Sequence, residues 1–160
     1  MTNTAWSDAV RWSCDRIVGR SDRPVSGCTS AEIAALQKRL RARLPGAYAE
    51  FLSIAGKSTG DFLLGTHIAF DKLDFLQGNI VRVMAESGAK LPDGGFCFAS
   101  NPSYVFLWFR TDQGDDPPVS LFEEGWTESK EALPAFSAWL EASVSDQWGV
   151  RRSPDRPKPR

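Results

Sequence analysis

Leu44-Pro-Gly-Ala-Tyr-Ala-Glu-Phe-Leu-Ser-Ile-Ala-Gly56 is the stretch whose reading decides the fold. Pro45 has its φ preset for the first turn of a helix, where a missing N–H costs nothing. Tyr48, Phe51, Leu52 and Ala55 follow at i, i+3, i+4 and i+7, one apolar stripe of helical period. Gly56 offers the left-handed conformation that closes such a helix. The stretch therefore predicts a short helix that delivers two aromatic rings to a core.

Upstream, residues 5–18 read as a first helix with Trp6, Val10 and Ile17 on one side and Gly19 as a stop. Residues 20–28, with Pro24 and Gly27 among polar groups, read as a loop. Thr29 and Glu32 make a capping box for a second helix, whose buried stripe is Ile33, Leu36, Leu40 and Leu44. Downstream, Phe62–Leu64 and Ile68–Phe70 read as brief strands separated by Gly65. Residues 71–76 and 79–87 read as helical turns, with Leu73, Phe75, Ile80, Val83 and Met84 as core candidates. Pro92-Asp93-Gly94-Gly95 is a turn, after which Phe96–Ala99, Tyr104–Phe109 and Val119–Phe122 form an antiparallel meander. The middle strand is apolar on both faces and is expected at the centre, covered on each side. Pro134 opens a last helix with Phe136, Trp139, Leu140 and Val144 on its stripe. Helices, then strands, then a helix predict an α+β domain.

One domain is expected at this length, 160 residues, with residues 1–28 belonging to the same unit as 29–150. Residues 151–160 hold three prolines and no apolar side chain and read as a disordered basic tail. The longest apolar run, Val105–Phe109, is too short to cross a bilayer. No basic start or apolar segment marks a secretory leader, and three scattered cysteines suit reduced thiols, so a cytoplasmic protein is expected.

Net charge is only −1, yet it is unevenly spread. Residues 46–150 carry 6 Lys/Arg against 15 Asp/Glu, between two basic ends. Such a body can draw in a basic partner. The densest acidic stretch is Asp112, Asp115, Asp116, Glu123, Glu124, Glu128 and Glu131, opposed only by Lys130. With Trp126 as an aromatic anchor it forms the candidate partner-binding face. A solvated loop is the competing account of the same residues. The basic face at Arg39, Arg41 and Arg43 reads as solvated helix surface, so no direct nucleic-acid binding is expected.

No catalytic constellation is expected. His67 has no second histidine to work with, and Cys14, Cys28 and Cys97 form no metal-binding spacing. Cys97, between Phe96 and Phe98, has no base placed near it and reads as an inert thiol. Gly56-Lys57-Ser58-Thr59-Gly60 lacks the spacing of a phosphate-binding loop and follows a helix instead of a strand. No cofactor or metal is expected.

The ordered set Leu44-Pro45, Tyr48, Phe51-Leu52, Gly56, Tyr104–Phe109, Asp116-Pro117-Pro118-Val119, Phe136-Ser137 and Trp139-Leu140 resembles the SUKH superfamily. This Smi/Knr-type domain is shared by bacterial toxin-immunity proteins and fungal cell-wall regulators. The resemblance covers residues 29–144, and departs from the pattern at Ala55 and at Ser120. It implies N-terminal helices and a C-terminal helix packed on an antiparallel sheet of about four to six strands. It also implies a non-catalytic protein that binds a cognate toxin stoichiometrically, often a nuclease or deaminase. The acidic body suits a toxin with a basic surface, and the protein is expected to be a monomer. A regulatory adaptor for an endogenous protein is the alternative role that the resemblance implies.

Overall fold

In the computed structural model, which describes residues 5–102 and 104–153, the stretch Gly46–Ala55 is a helix (α3). Its stripe of Tyr48, Phe51, Leu52 and Ala55 is fully buried. Two details differ from the sequence reading. Pro45 caps the helix with extended backbone and does not open its first turn. Gly56 is right-handed at φ −69°, so left-handed freedom is not why glycine stands there. A Cβ at position 56 would lie 2.6 Å from the Leu52 carbonyl oxygen, so the requirement is for closeness.

The first helix, α1, spans Ala5–Arg20, running through Gly19, and packs on α3 and on the last helix. Glu50 of α3 ties it down, accepting from Ser7 Oγ at 2.8 Å and Arg11 Nε at 2.8 Å. Helix α2, Ser30–Leu40, carries the expected capping box: Glu32 N–H donates to Thr29 Oγ1 and Thr29 N–H to Glu32 Oε1. Between α1 and α2 the expected loop contains a two-residue strand, β1 (Val25–Ser26). It pairs antiparallel with β2 (Ser58–Thr59) just beyond α3.

The expected strands at 62–64 and 68–70 are not formed. Positive φ at Gly60, Leu63 and Gly65 turns the chain repeatedly. Phe62 and Ile68 are nonetheless core residues, and His67 makes one isolated bridge to Ser100. The expected helical turns at 71–76 and 79–87 are one helix, α4 (Leu73–Glu86), preceded by a 3-10 turn at Phe70–Lys72. Leu73, Leu76, Ile80, Val83 and Met84 give it a continuous buried stripe, and the helix is not interrupted at Gly78. Phe75 is not part of that stripe and is 57% exposed.

Four antiparallel strands follow in the order β3 (Gly95–Asn101), β4 (Val105–Arg110), β5 (Val119–Glu123) and β6 (Lys130–Leu133). As expected, β4 is internal. The sequence reading did not foresee β6, a polar edge strand. One sheet face carries Phe96, Phe98 and Phe109 against α3 and α5 (Phe136–Trp148). The opposite face, with Cys97 and Phe106, lies on the side of α4, which packs on β3. The free edge of β3 is closed by side chains. Gln77 of α4 donates to the Cys97 carbonyl at 2.7 Å and accepts from the Cys97 N–H at 2.9 Å, as a neighbouring strand would.

At the centre, Tyr48 contacts the rings of Phe51, Phe96, Phe98, Phe109 and Phe136 at centroid distances of 5.2–6.3 Å. Each such pair adds about 0.5–1.5 kcal/mol beyond the area it buries. The ring is therefore the joint between α3, α5 and the sheet. Its hydroxyl has no hydrogen-bond partner among the described residues. An unsatisfied buried hydroxyl costs about 1–3 kcal/mol, so Tyr48→Phe is expected to hold or raise the urea midpoint. Tyr48→Ala should lower stability by about 3–5 kcal/mol through the cavity it leaves.

Candidate protein-interaction surface

The groups with reactive chemistry are used for packing. Cys14, Cys28 and Cys97 are free and buried. Burial raises the Cys14 and Cys97 thiols to about 12 and that of Cys28 to about 11, far from a nucleophile's range. The His67 ring meets Phe75 edge-on at 6.1 Å. Among the described residues no three His, Cys, Asp or Glu side chains are gathered in a way that could hold a metal ion.

The acidic stretch singled out from the sequence divides in two. Asp112, Asp115 and Asp116 lie in the β4–β5 loop, whereas Glu123, Glu124, Trp126 and Glu128 lie at the β5–β6 hairpin. The five-residue strand β5 stands between the two groups, a length of about 13 Å at about 3.3 Å per residue. The loop acids are engaged within the fold. Arg110 grips Asp112 through two bonds of 2.9 and 2.8 Å and holds its carboxyl below the usual range. Asp115 accepts from the Gly46 N–H at 3.2 Å, and its own carbonyl accepts from the Ala47 N–H at 2.8 Å. Asp116 accepts from both the N–H (2.8 Å) and the hydroxyl of Ser137. These two carboxylates thus cap α3 and α5 from a distant loop, at helix ends that have no side-chain cap of their own.

The hairpin acids are differently placed. Glu123, Glu124 and Glu128 are exposed, and no cation pairs with them among the described residues. Trp126 is half-buried, with the Lys130 ammonium 4.7 Å from its ring centre. That contact covers one face of the expected anchor.

A groove that the sequence reading missed lies beside this hairpin. It holds about 620 Å³ between α4 and the β3–β4 turn, and is lined by His67, Asp74, Phe75, Gly78, Arg82 and Tyr104 among others. Two of its rings are open to solvent: Phe75 is 57% and Tyr104 45% exposed. The Glu124 N–H donates to the Tyr104 carbonyl at 3.0 Å, which sets one acid of the hairpin beside a residue that lines the groove. The discoverable signal was the second stripe of α4. Phe75, Gly78, Asn79 and Arg82 stand at i, i+3, i+4 and i+7, beside the stripe that is buried.

In comparison with known proteins, the model of the SMI1 / KNR4 family (SUKH-1) matches residues 27–142, most of the chain. No curated protein matches it. The matched range takes in the Tyr48 joint, both acidic clusters and the whole groove.

The two acidic clusters are expected to separate on mutation. Asp115→Ala and Asp116→Ala should each cost about 0.5–2 kcal/mol in chemical denaturation as lost helix caps. Glu123→Gln with Glu124→Gln and Glu128→Gln should leave the midpoint within about 0.5 kcal/mol. The thiols set a second expectation. Their folded pKa values lie above the unfolded value near 9, so the native state holds more protons in alkali. Their contribution is complete below pH 9 and is lost as pH rises towards 11–12. Native protein at pH 8 should resist a thiol-specific disulfide reagent, and denatured protein should react at all three cysteines.

Proposed function

We propose, from the premise that the chain belongs to the SMI1/KNR4 family (SUKH-1), that it is an immunity protein neutralising a cognate toxin by stoichiometric binding. Domains of this family serve immunity or regulatory roles through protein binding and are generally non-catalytic. The observation that carries the reading for this chain is its open aromatic groove beside the acidic β5–β6 hairpin, whose Glu124 adjoins Tyr104 and has no cation paired with it among the described residues. Exposed rings beside a charged rim are the surface chemistry of protein recognition. The uncompensated negative charge favours a toxin with a basic surface, such as a nuclease or deaminase that handles nucleic acid. The protein acts as a monomer in the cytoplasm, by covering the toxin's working face. Among the described residues no helix is long and apolar enough to cross a membrane.

Co-expression with the toxin encoded beside it tests this reading. Growth should be restored, and the two proteins should elute together from gel filtration at a 1:1 ratio. Raising the salt should weaken the complex mainly through a slower association rate. Unrelieved toxicity with no complex would overturn the proposal, and a complex with an endogenous protein in its place would identify the regulatory-adaptor role.

A further inference from the structure

Three residues lining the groove depart from local preference. Phe75 leaves 57% of its surface in water. Gly78 sits in the interior of α4, where glycine is about 0.8–1.0 kcal/mol less favourable than alanine. Its backbone is ordinary helix, and a Cβ there would meet nothing within 4 Å. Tyr104 stands at φ 69°, a conformation costing an L-residue about 1–2 kcal/mol, while its ring is 45% exposed.

Similar departures occur outside the groove: Gly19 stands within α1 with open space around it, and Val18, Leu64 and Val81 are each more than half exposed. Gly27 and Gly56 lie so close to α3 carbonyls that no Cβ fits. Among the described residues the other non-glycine positive φ values are at Arg41, which ends α2, and Leu63, which packs against the core. Phe75, Gly78 and Tyr104 differ from these in lying together on one groove, although the Tyr104 N–H also closes the β3–β4 turn on the Asn101 carbonyl at 2.9 Å. Departures from local preference that gather at one concave site mark a functional position.

The charges indicate what the groove receives. Arg39 pairs with Asp74 at 3.2 Å and Arg82 with Glu86 at 3.2 Å, so the α4 wall is balanced. Glu124 stands beside Tyr104, and among the described residues no cation pairs with it. We infer that the groove takes one aromatic side chain of a partner protein, projecting from a Lys/Arg-rich extended segment whose nearest cation faces Glu124. Gly78 forms the floor on which that ring lies, between Phe75 and Tyr104. This deepens the protein-binding reading and is independent of which toxin, if any, supplies the segment.

The probe is a capped synthetic peptide, Lys-Lys-Trp-Lys-Lys, titrated to millimolar concentration into the isotope-labelled full chain and followed by NMR. Amide shifts should gather at Phe75, Gly78, Tyr104 and Glu124, with binding about tenfold weaker when alanine replaces tryptophan. Gly78→Trp fills the groove from its floor and should reduce binding about tenfold while remaining folded. Gly78→Gln is the milder second variant, and Gly78→Ala should raise Tm. Glu124→Gln should weaken binding several-fold and flatten its salt dependence. No binding, equal binding by the alanine peptide, shifts centred elsewhere or full binding by folded Gly78→Trp would each overturn the inference. So would self-association of the free protein that Gly78→Trp abolishes, since a second copy would then be the occupant. A toxin complex untouched by Gly78→Trp would overturn the groove and leave the immunity role standing. Peptide binding without toxin rescue would do the reverse.

Discussion

The fold depends on the Tyr48 ring, which no single secondary-structure element could hold in place alone. It meets Phe109 at 5.2 Å from the sheet and Phe136 at 5.4 Å from the last helix, both edge-on. A helix of ten residues is too short to be stable by itself and must gain its stability from packing. The ring provides that packing and fixes where α5 lies, and α1 then rests across both helices. Asp115 and Asp116 act in the same direction from outside the core, by supplying the caps that α3 and α5 lack. One loop thereby sets the start of two helices that are far apart in the chain. Those carboxylates belong to the mechanics of the fold, although their charge first marks them as surface.

The apolar stripes were legible because a helical period needs only the neighbouring sequence. The stripes of α3 and α5 and the internal position of β4 follow from local spacing alone, whereas of the stripe expected for α2 only Leu36 is buried within the helix, Ile33 and Leu40 are half-buried, and Leu44 lies beyond its end. The missed elements depend on partners distant in the chain. Val25–Ser26 is a strand only because Ser58–Thr59 runs beside it, and two residues carry no alternation to read. Lys130–Leu133 is polar because it is an edge strand, and polar edges resist pairing with other chains. The brief strands expected at 62–64 and 68–70 failed for the opposite reason. Apolar residues there are buried singly, from turns, and Leu63 in a left-handed conformation interrupts any extended run.

The candidate surface was partly legible in the same sense. Composition identified an acidic stretch, but not which acids already had partners within the fold. Asp115 reaches a backbone 69 residues away and Asp116 one 21 residues away. No pattern in the linear order announces such a contact. Phe75 was placed in the core because it adjoins Leu73 and Leu76, and a two-residue shift around a helix is enough to move a ring to the other side. Phe75 instead lines the groove, 57% exposed, with the His67 ring edge-on against it.

A rigid aromatic core and an open aromatic groove complement each other physically. Association costs about 4–15 kcal/mol in lost freedom of motion, before any ordering of loops. A groove whose wall is the helix α4 adds little to that cost. Its buried stripe is packed in the core, and Gln77 binds it to the edge of β3 through two short hydrogen bonds. The exposed stripe one step around the same helix is therefore already in place when a partner arrives. Rings held in that way can exchange water for apolar contact without first being ordered. The long-range field of the unpaired glutamates then needs only to orient the encounter. A domain that recognises by shape and charge can in this way use a single helix twice, one face holding the fold together and the next receiving the partner.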